Sequence, residues 1–209
     1  MALTAGLILT LVPQTAYAQL SKKQEKQLQK ERDAMYQKRI KMYNKEGWKL
    51  SGGSRTLEVA LLEHYSKLNE ENVEFTGQVS QCKSINVCKM AAMTNAQNRY
   101  ASLASGQVKG RVTSLLRNDA DMPEVEVDKL IAAYENAVKA EISGVLTESY
   151  SVVKDNGDAK QFETVFILNE AKANIARKKA MEKSLLETKI AIKEAEEISK
   201  FVNEGFSLE

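Results

Sequence analysis

The chain has 209 residues, of which 43% are hydrophobic, 28% charged and 6% aromatic, with a formal net charge of +2. Two prolines and ten glycines exclude a collagen-like or low-complexity chain and argue against an all-β fold rich in turns. The charge is uneven. Residues 19–49 hold ten basic and four acidic side chains, whereas residues 169–209 hold eight of each, so a basic arm is joined to a mildly acidic body.

Ala2 to Val12 is a short apolar run broken by Pro13, and Ala16-Tyr17-Ala18 follows with small residues where a signal peptidase cuts. Residues 1–18 therefore read as a signal peptide cleaved after Ala18, with Ala16 and Ala18 as the recognition residues. The run is too short for a transmembrane span, which needs ~20 residues. The expected location is exported, periplasmic or outer-membrane-associated in a Gram-negative bacterium. Residues 19–46 predict a basic N-terminal helix, because they are rich in Lys, Gln and Glu and hold no Gly or Pro before Gly47. Leu28, Met35 and Met42 recur every seven residues, beside Tyr36, Ile40 and Tyr43, a stripe thin enough to lie along another helix. Lys22, Lys23, Lys26, Lys30, Arg32, Lys38, Arg39 and Lys41 are candidates for contact with an anionic polymer or membrane surface.

Residues 47–168 read as the α+β body. Ser54 is expected to cap a helix with Leu57, Leu61, His64 and Leu68 on one face. His64 is the single histidine. A Ser-His-acid triad would have to use it, and no partner for it is readable; the expectation is a core or boundary histidine. Val73, Phe75, Gly77 and Val79 alternate with polar residues, which predicts a strand. Cys82 and Cys88 are the two cysteines. They are expected to pair in an oxidising compartment, with free thiols the alternative; they fall short of a zinc set and lack redox-motif spacing. A long helix from about residue 88 to 116 follows, with Met93, Gln97, Tyr100, Ala104, Val108, Val112 and Leu115 as its inner stripe. Ser102, Gly106 and Gly110 form a second stripe of small residues, expected to admit another backbone.

After a loop at 119–123, a helix over 124–145 carries Val127, Leu130, Ile131, Tyr134, Val138, Ile142 and Val145 on one side. Glu148, Tyr150 and Val152 then alternate with Ser149, Ser151 and Val153. Asp155-Asn156-Gly157-Asp158 is a hairpin turn. The return strand has Phe162, Thr164, Phe166 and Leu168 on one face and Val165 and Ile167 on the other, so it reads as central and covered on both sides. Asn169 is expected to cap a last helix over residues 169–209, stopped near Gly205. Met181, Leu185, Thr188, Ile192, Ala195, Ser199 and Val202 form a heptad-like seam that calls for a partner helix, either the N-terminal arm or a second copy.

The order from Phe75-Thr76-Gly77-Gln78-Val79, through small residues at Ala92, Ala96, Ala101 and Ala104, to a hairpin after Ser143-Gly144-Val145 resembles the domain of twenty-kilodalton Lpp-type surface lipoproteins and flagellar-associated outer-membrane proteins. The resemblance implies a small α+β envelope domain without known catalysis, and it carries over no site residues. No Cys follows the apolar run, which departs from a lipid anchor.

The expected fold is therefore α+β. A mainly antiparallel sheet of three or four strands is covered by helices, and long N- and C-terminal helices pair as a stalk. No phosphate loop, nucleophile elbow or His-Glu-x-x-His is present in the sequence. The expected function is a non-catalytic exported domain that binds another envelope protein or itself as a homodimer. Binding of an anionic polymer or membrane surface is the alternative, and a hydrolase with an unrecognised acidic site is the second. No cofactor, metal, nucleic acid or transmembrane span is expected.

Overall fold

The computed structural model describes residues 22–116, 124–188 and 192–206. The elements are α1 (Lys22–Glu46), β1 (Lys49–Leu50), α2 (Leu57–Lys67), β2 (Asn72–Cys82), α3 (Ile85–Leu116), α4 (Glu124–Ile142), β3 (Leu146–Asn156), β4 (Ala159–Asn169), α5 (Glu170–Thr188) and α6 (Ile192–Glu204). The chain forms two compact units, Met1–Met35 and Tyr36–Glu209. The described part of the first is helical, and Gln27 and Gln29 donate to Glu31 and Asp33 one turn on, at 2.8 and 2.9 Å.

The second unit is built on a four-stranded antiparallel sheet in the order β1-β3-β4-β2. The α+β class and the antiparallel sheet are as the alternation patterns indicate. β4 is central and covered on both faces, because both of its parities are apolar. Phe166 and Leu168 face α3, α4 and α5, while Val165 faces α2 and the C-terminal part of α1. Gly157, at φ 63, opens the β3–β4 turn, a conformation that costs glycine little.

β3 is not the simple alternation its sequence shows. Its register with β4 shifts between Glu148, opposite Phe166, and Tyr150, opposite Val165. Ser149 is the extra residue of this bulge. The bulge puts Tyr150 and Val152 on the α2 face and leaves Ser151 and Val153 toward the other.

Close approach of a helix to the sheet occurs at Gly77, not at the small stripe of α3. A Cβ built on Gly77 would lie 1.9 Å from the Ala92 carbonyl oxygen, so only glycine lets α3 settle here. One turn later Asn95 donates to the Gln78 carbonyl at 2.7 Å on this edge strand. Gly106 and Gly110 have nothing within 4 Å of an added Cβ, so the backbone expected against them is not there among the described residues.

The helix ends follow capping chemistry with one correction. Thr56, not Ser54, caps α2, its hydroxyl accepting from the Val59 amide at 3.3 Å. Asn169 caps α5 through the Lys172 amide at 3.1 Å. Gly47, at φ 80, closes α1 as the Trp48 amide turns back to the Tyr43 carbonyl. Gly205 does the same for α6, its amide donating to Val202.

The single long C-terminal helix of a stalk is corrected: these residues form α5 and α6. Met181, Ile198 and Val202 are buried in one core with α3 and α4, and Leu185 packs against it. The described C-terminal part of α1, Tyr36 onward, instead buries Ile40 and Tyr43 with α2 on the opposite sheet face. The seam residues Met181, Leu185 and Val202 thus pack within the chain because α6 turns back on α5 and α3. Met42, one residue of the seven-residue stripe, stays 40% exposed.

Candidate functional site

Between the sheet and the helices α1 and α2 lies a continuous polar network. Arg39, on α1, forms a fork with Glu74 of β2, Nη1 to Oε2 at 2.9 Å and Nη2 to Oε1 at 2.8 Å. The same Nη1 donates to the Tyr150 hydroxyl at 3.1 Å. His64, on α2, has its Nε2 2.8 Å from Glu74 Oε2 and its Nδ1 3.0 Å from the Ser149 hydroxyl. Tyr150 lies 3.3 Å from the Tyr43 hydroxyl, which donates to Glu163. Gln78 completes the chain by donating to the other Glu163 oxygen at 2.6 Å.

Local structure explains the convergence. Glu74 and Gln78 share one parity of β2, and Glu163 shares the α2-facing parity of β4 with Val165. The bulge at Ser149 turns both Ser149 and Tyr150 toward α2. Tyr36, Ile40 and Tyr43 are the core face of α1, and Arg39 flanks it.

The electrostatics hold this network charged. Burial would raise the Glu74 carboxyl, but hydrogen bonds from His64 and Arg39 and the Arg39 charge outweigh it and keep it below its ordinary value. Burial pushes Tyr43 well up and Tyr150 up to about 12, the latter opposed by Arg39, so both phenols are neutral donors at pH 7. Burial lowers Arg39, but its bonds to Glu74 and Tyr150 more than offset this, so it stays a cation. An ionised Glu74 only accepts, so His64 Nε2 carries a proton. Ser149 donates to Nδ1 of the neutral ring, or accepts from it when the ring is charged.

A second polar cluster lies on the other sheet face. Arg177, 1% exposed, donates to Glu170 at 3.0 Å and to the Tyr100 hydroxyl, and its guanidinium lies 4.9 Å from the Phe206 ring centre. Separately, a groove of about 570 Å³ runs along α3, lined by Ser102, Leu103, Gly106, Gly110, Arg111 and Phe201 among others.

The structure sorts the sequence candidates. His64 is buried as expected, but it has two hydrogen-bond partners that the sequence did not reveal. Arg39 is corrected: it is in the network and not on an anion-facing surface, because Glu74 binds both of its terminal nitrogens. Lys23, Lys26, Lys30, Lys38 and Lys41 are exposed, Arg32 is half-exposed, and only the backbone of Lys22 is described. Cys82 and Cys88 are joined, Cα to Cα 5.4 Å, tying the end of β2 to the first turn of α3. Thr188 and Ser199 of the seam are half-buried; the side chains of Ile192 and Ala195 lie outside the described residues, as do Ala16 and Ala18.

Sequence reading missed Tyr43, Glu74, Ser149, Tyr150 and Glu163. One signal was available: Glu163 shares a parity with Val165 and Ile167 on a strand covered on both faces, where a buried carboxylate needs a partner. Among the described residues there is no group of three or more His, Cys, Asp or Glu arranged to hold a metal ion. No helix among them is long and apolar enough to cross a membrane. Compared with known proteins, the chain matches no family model, no curated protein and no solved structure.

Proposed function

We propose that this chain is an exported, non-catalytic domain of the cell envelope, periplasmic or outer-membrane-associated, that works by binding another envelope protein or a second copy of itself. One observation carries the non-catalytic part. In the buried network both His64 nitrogens, both Glu74 oxygens and both Glu163 oxygens have partners within the fold, and His64 is fully buried. Such a network fastens α1 and α2 to the sheet. The Cys82–Cys88 bond supports an oxidising compartment. The resemblance to Lpp-type envelope domains supports the same reading.

The test is expression of the full chain in a Gram-negative host with cross-linking in the intact cells. The reading expects a product that begins at Gln19, carries the disulfide, and cross-links to an envelope protein or to itself. A full-length, reduced, cytoplasmic product overturns it.

A second reading rests on one geometry. Ser149, His64 and Glu74 form a hydroxyl–imidazole–carboxylate chain with links of 3.0 and 2.8 Å, the connectivity of a serine hydrolase. Ser149 Oγ would attack a carbonyl carbon as its proton passes to His64 Nδ1 and the C=O electron pair moves to oxygen; collapse of that adduct would expel the leaving group, which takes the proton from His64. Arg39 argues against it, because its fork on Glu74 weakens the carboxylate's hold on an imidazolium. A fluorophosphonate probe separates the readings. Labelling that is lost in Ser149→Ala and His64→Gln supports the hydrolase; no labelling supports the fastener.

A further inference from the structure

The lysines of α1 fall into two rows of identical spacing, one in each compact unit. Lys23, Lys26 and Lys30 stand at i, i+3 and i+7 in the first; Lys38, Lys41 and Lys45 stand so in the second. All six are exposed. In the second unit, 100° per residue puts Lys38, Lys41 and Lys45 about half a turn around the helix from Tyr36, Ile40 and Tyr43, its buried face. The eight-residue basic set of the sequence thus gives way to six exposed lysines: Arg39 and the half-exposed Arg32 leave it, the Lys22 side chain lies outside the described residues, and Lys45 joins.

Two features distinguish the second row from an ordinary solvated face. The ion-paired lysines among the described residues are Lys89, Lys109 and Lys160, and none of the six joins them. No acidic residue occurs from Ala34 to Lys45, whereas Glu25, Glu31 and Asp33 are interleaved with the first row and Asp33 stands three residues from Lys30. Lys38, Lys41 and Lys45, like charges three and four residues apart, therefore repel with no acid between them to stabilise the helix.

We propose that the second row, Lys38, Lys41 and Lys45, is a docking surface for a linear anionic polymer whose charges recur at about the 5–6 Å spacing of helical neighbours. Such a polymer relieves the repulsion along a whole row at once. A membrane surface fits less well, because the apolar residues near the rows are thin: Met35 and Met42 are exposed, seven residues apart. This inference does not depend on the identity of any protein partner.

The experiment measures binding of the full chain to fluorescently labelled long-chain polyphosphate at 50 and 200 mM salt. A row of three lysines contributes a log–log salt slope of about −2.1 to −2.7, so it alone weakens binding about 20–40-fold across that range. Replacing Lys38, Lys41 and Lys45 by Gln is expected to reduce the slope by about 2–3 with an unchanged circular dichroism spectrum, and replacing Lys23, Lys26 and Lys30, which have acids among them, to reduce it less. A control triple, Lys172, Lys179 and Lys183 to Gln on the exposed surface of α5, is expected to leave the slope alone. The proposal is overturned if the Lys38, Lys41 and Lys45 variant binds like the parent, or if the control lowers the slope equally. It is also overturned if phosphatidylglycerol vesicles are bound and polyphosphate is not.

Discussion

Replacing Glu74 by Gln tests the polar network where it carries most charge. The substitution keeps the shape of the side chain but removes its charge and turns one of its two acceptor oxygens into an NH2 donor, so the two prongs of Arg39 and His64 Nε2 can no longer all be satisfied. Breaking a fully buried ion pair costs about 3–5 kcal/mol, and an exposed one about 0–1 kcal/mol. Arg39 and Glu74 side chains are 22% and 23% exposed, between those limits. The expected loss is therefore about 2–3 kcal/mol, a fall of about 5–10 °C in the melting midpoint for a chain of this size. Thermal and urea unfolding of the full chain, followed by circular dichroism, read it directly. Arg39→Met added to Glu74→Gln removes the stranded cation, so the double variant should recover about 1–2 kcal/mol relative to the sum of the singles. Because Glu74 is held below its ordinary value, its stabilisation is complete above about pH 4.5 and is lost as pH falls through the depressed folded value. The gap between parent and Glu74→Gln should be full at pH 7 and close in acid. A midpoint change below about 1 °C at pH 7, or a gap that widens in acid, refutes the reasoning.

Gly77→Ala should destabilise by about 3 kcal/mol, because its Cβ meets the Ala92 backbone and not a movable side chain. Gly106→Ala and Gly110→Ala should each stabilise by about 0.5–1 kcal/mol, since both lie in α3 with open space around them; urea midpoints distinguish these signs. The paired substitution Cys82→Ala and Cys88→Ala should lower stability by about 2 kcal/mol, the closure entropy of so short a loop, measured under non-reducing conditions. Thr56→Ala should cost about 1 kcal/mol through loss of the α2 cap, while Ser54→Ala should be neutral.

Much of the fold was legible because it follows local rules. Both parities of β4 are apolar, and β4 is central; Asn156-Gly157 permits a tight turn, and the turn is there. Asn169 and Gly205 mark helix ends through their own backbone preferences. The candidate site was scarcely legible, because its members become neighbours only through tertiary pairing. Arg39 looked like one cation among many in a basic helix, and its partner lies 35 residues away. Ser149 read as one more position in an alternating strand, but a one-residue bulge, set by how β3 meets β4, decides which face it joins. Gly77 reads as a strand position and Gly106 as part of a helical stripe expected to admit a backbone, and the sequence points to the wrong one. Only the approach of Ala92 separates a required glycine from a dispensable one.

The most direct test is native-state hydrogen exchange on the parent and on Glu74→Gln at pH 7. If the network fastens α1 and α2 to the sheet, amides of residues 40–46 and 60–67 exchange markedly faster in the variant, while those of α4 and α5 in the other core keep their rates. Unchanged exchange in α1 and α2, or an equal acceleration across α4 and α5, contradicts the account.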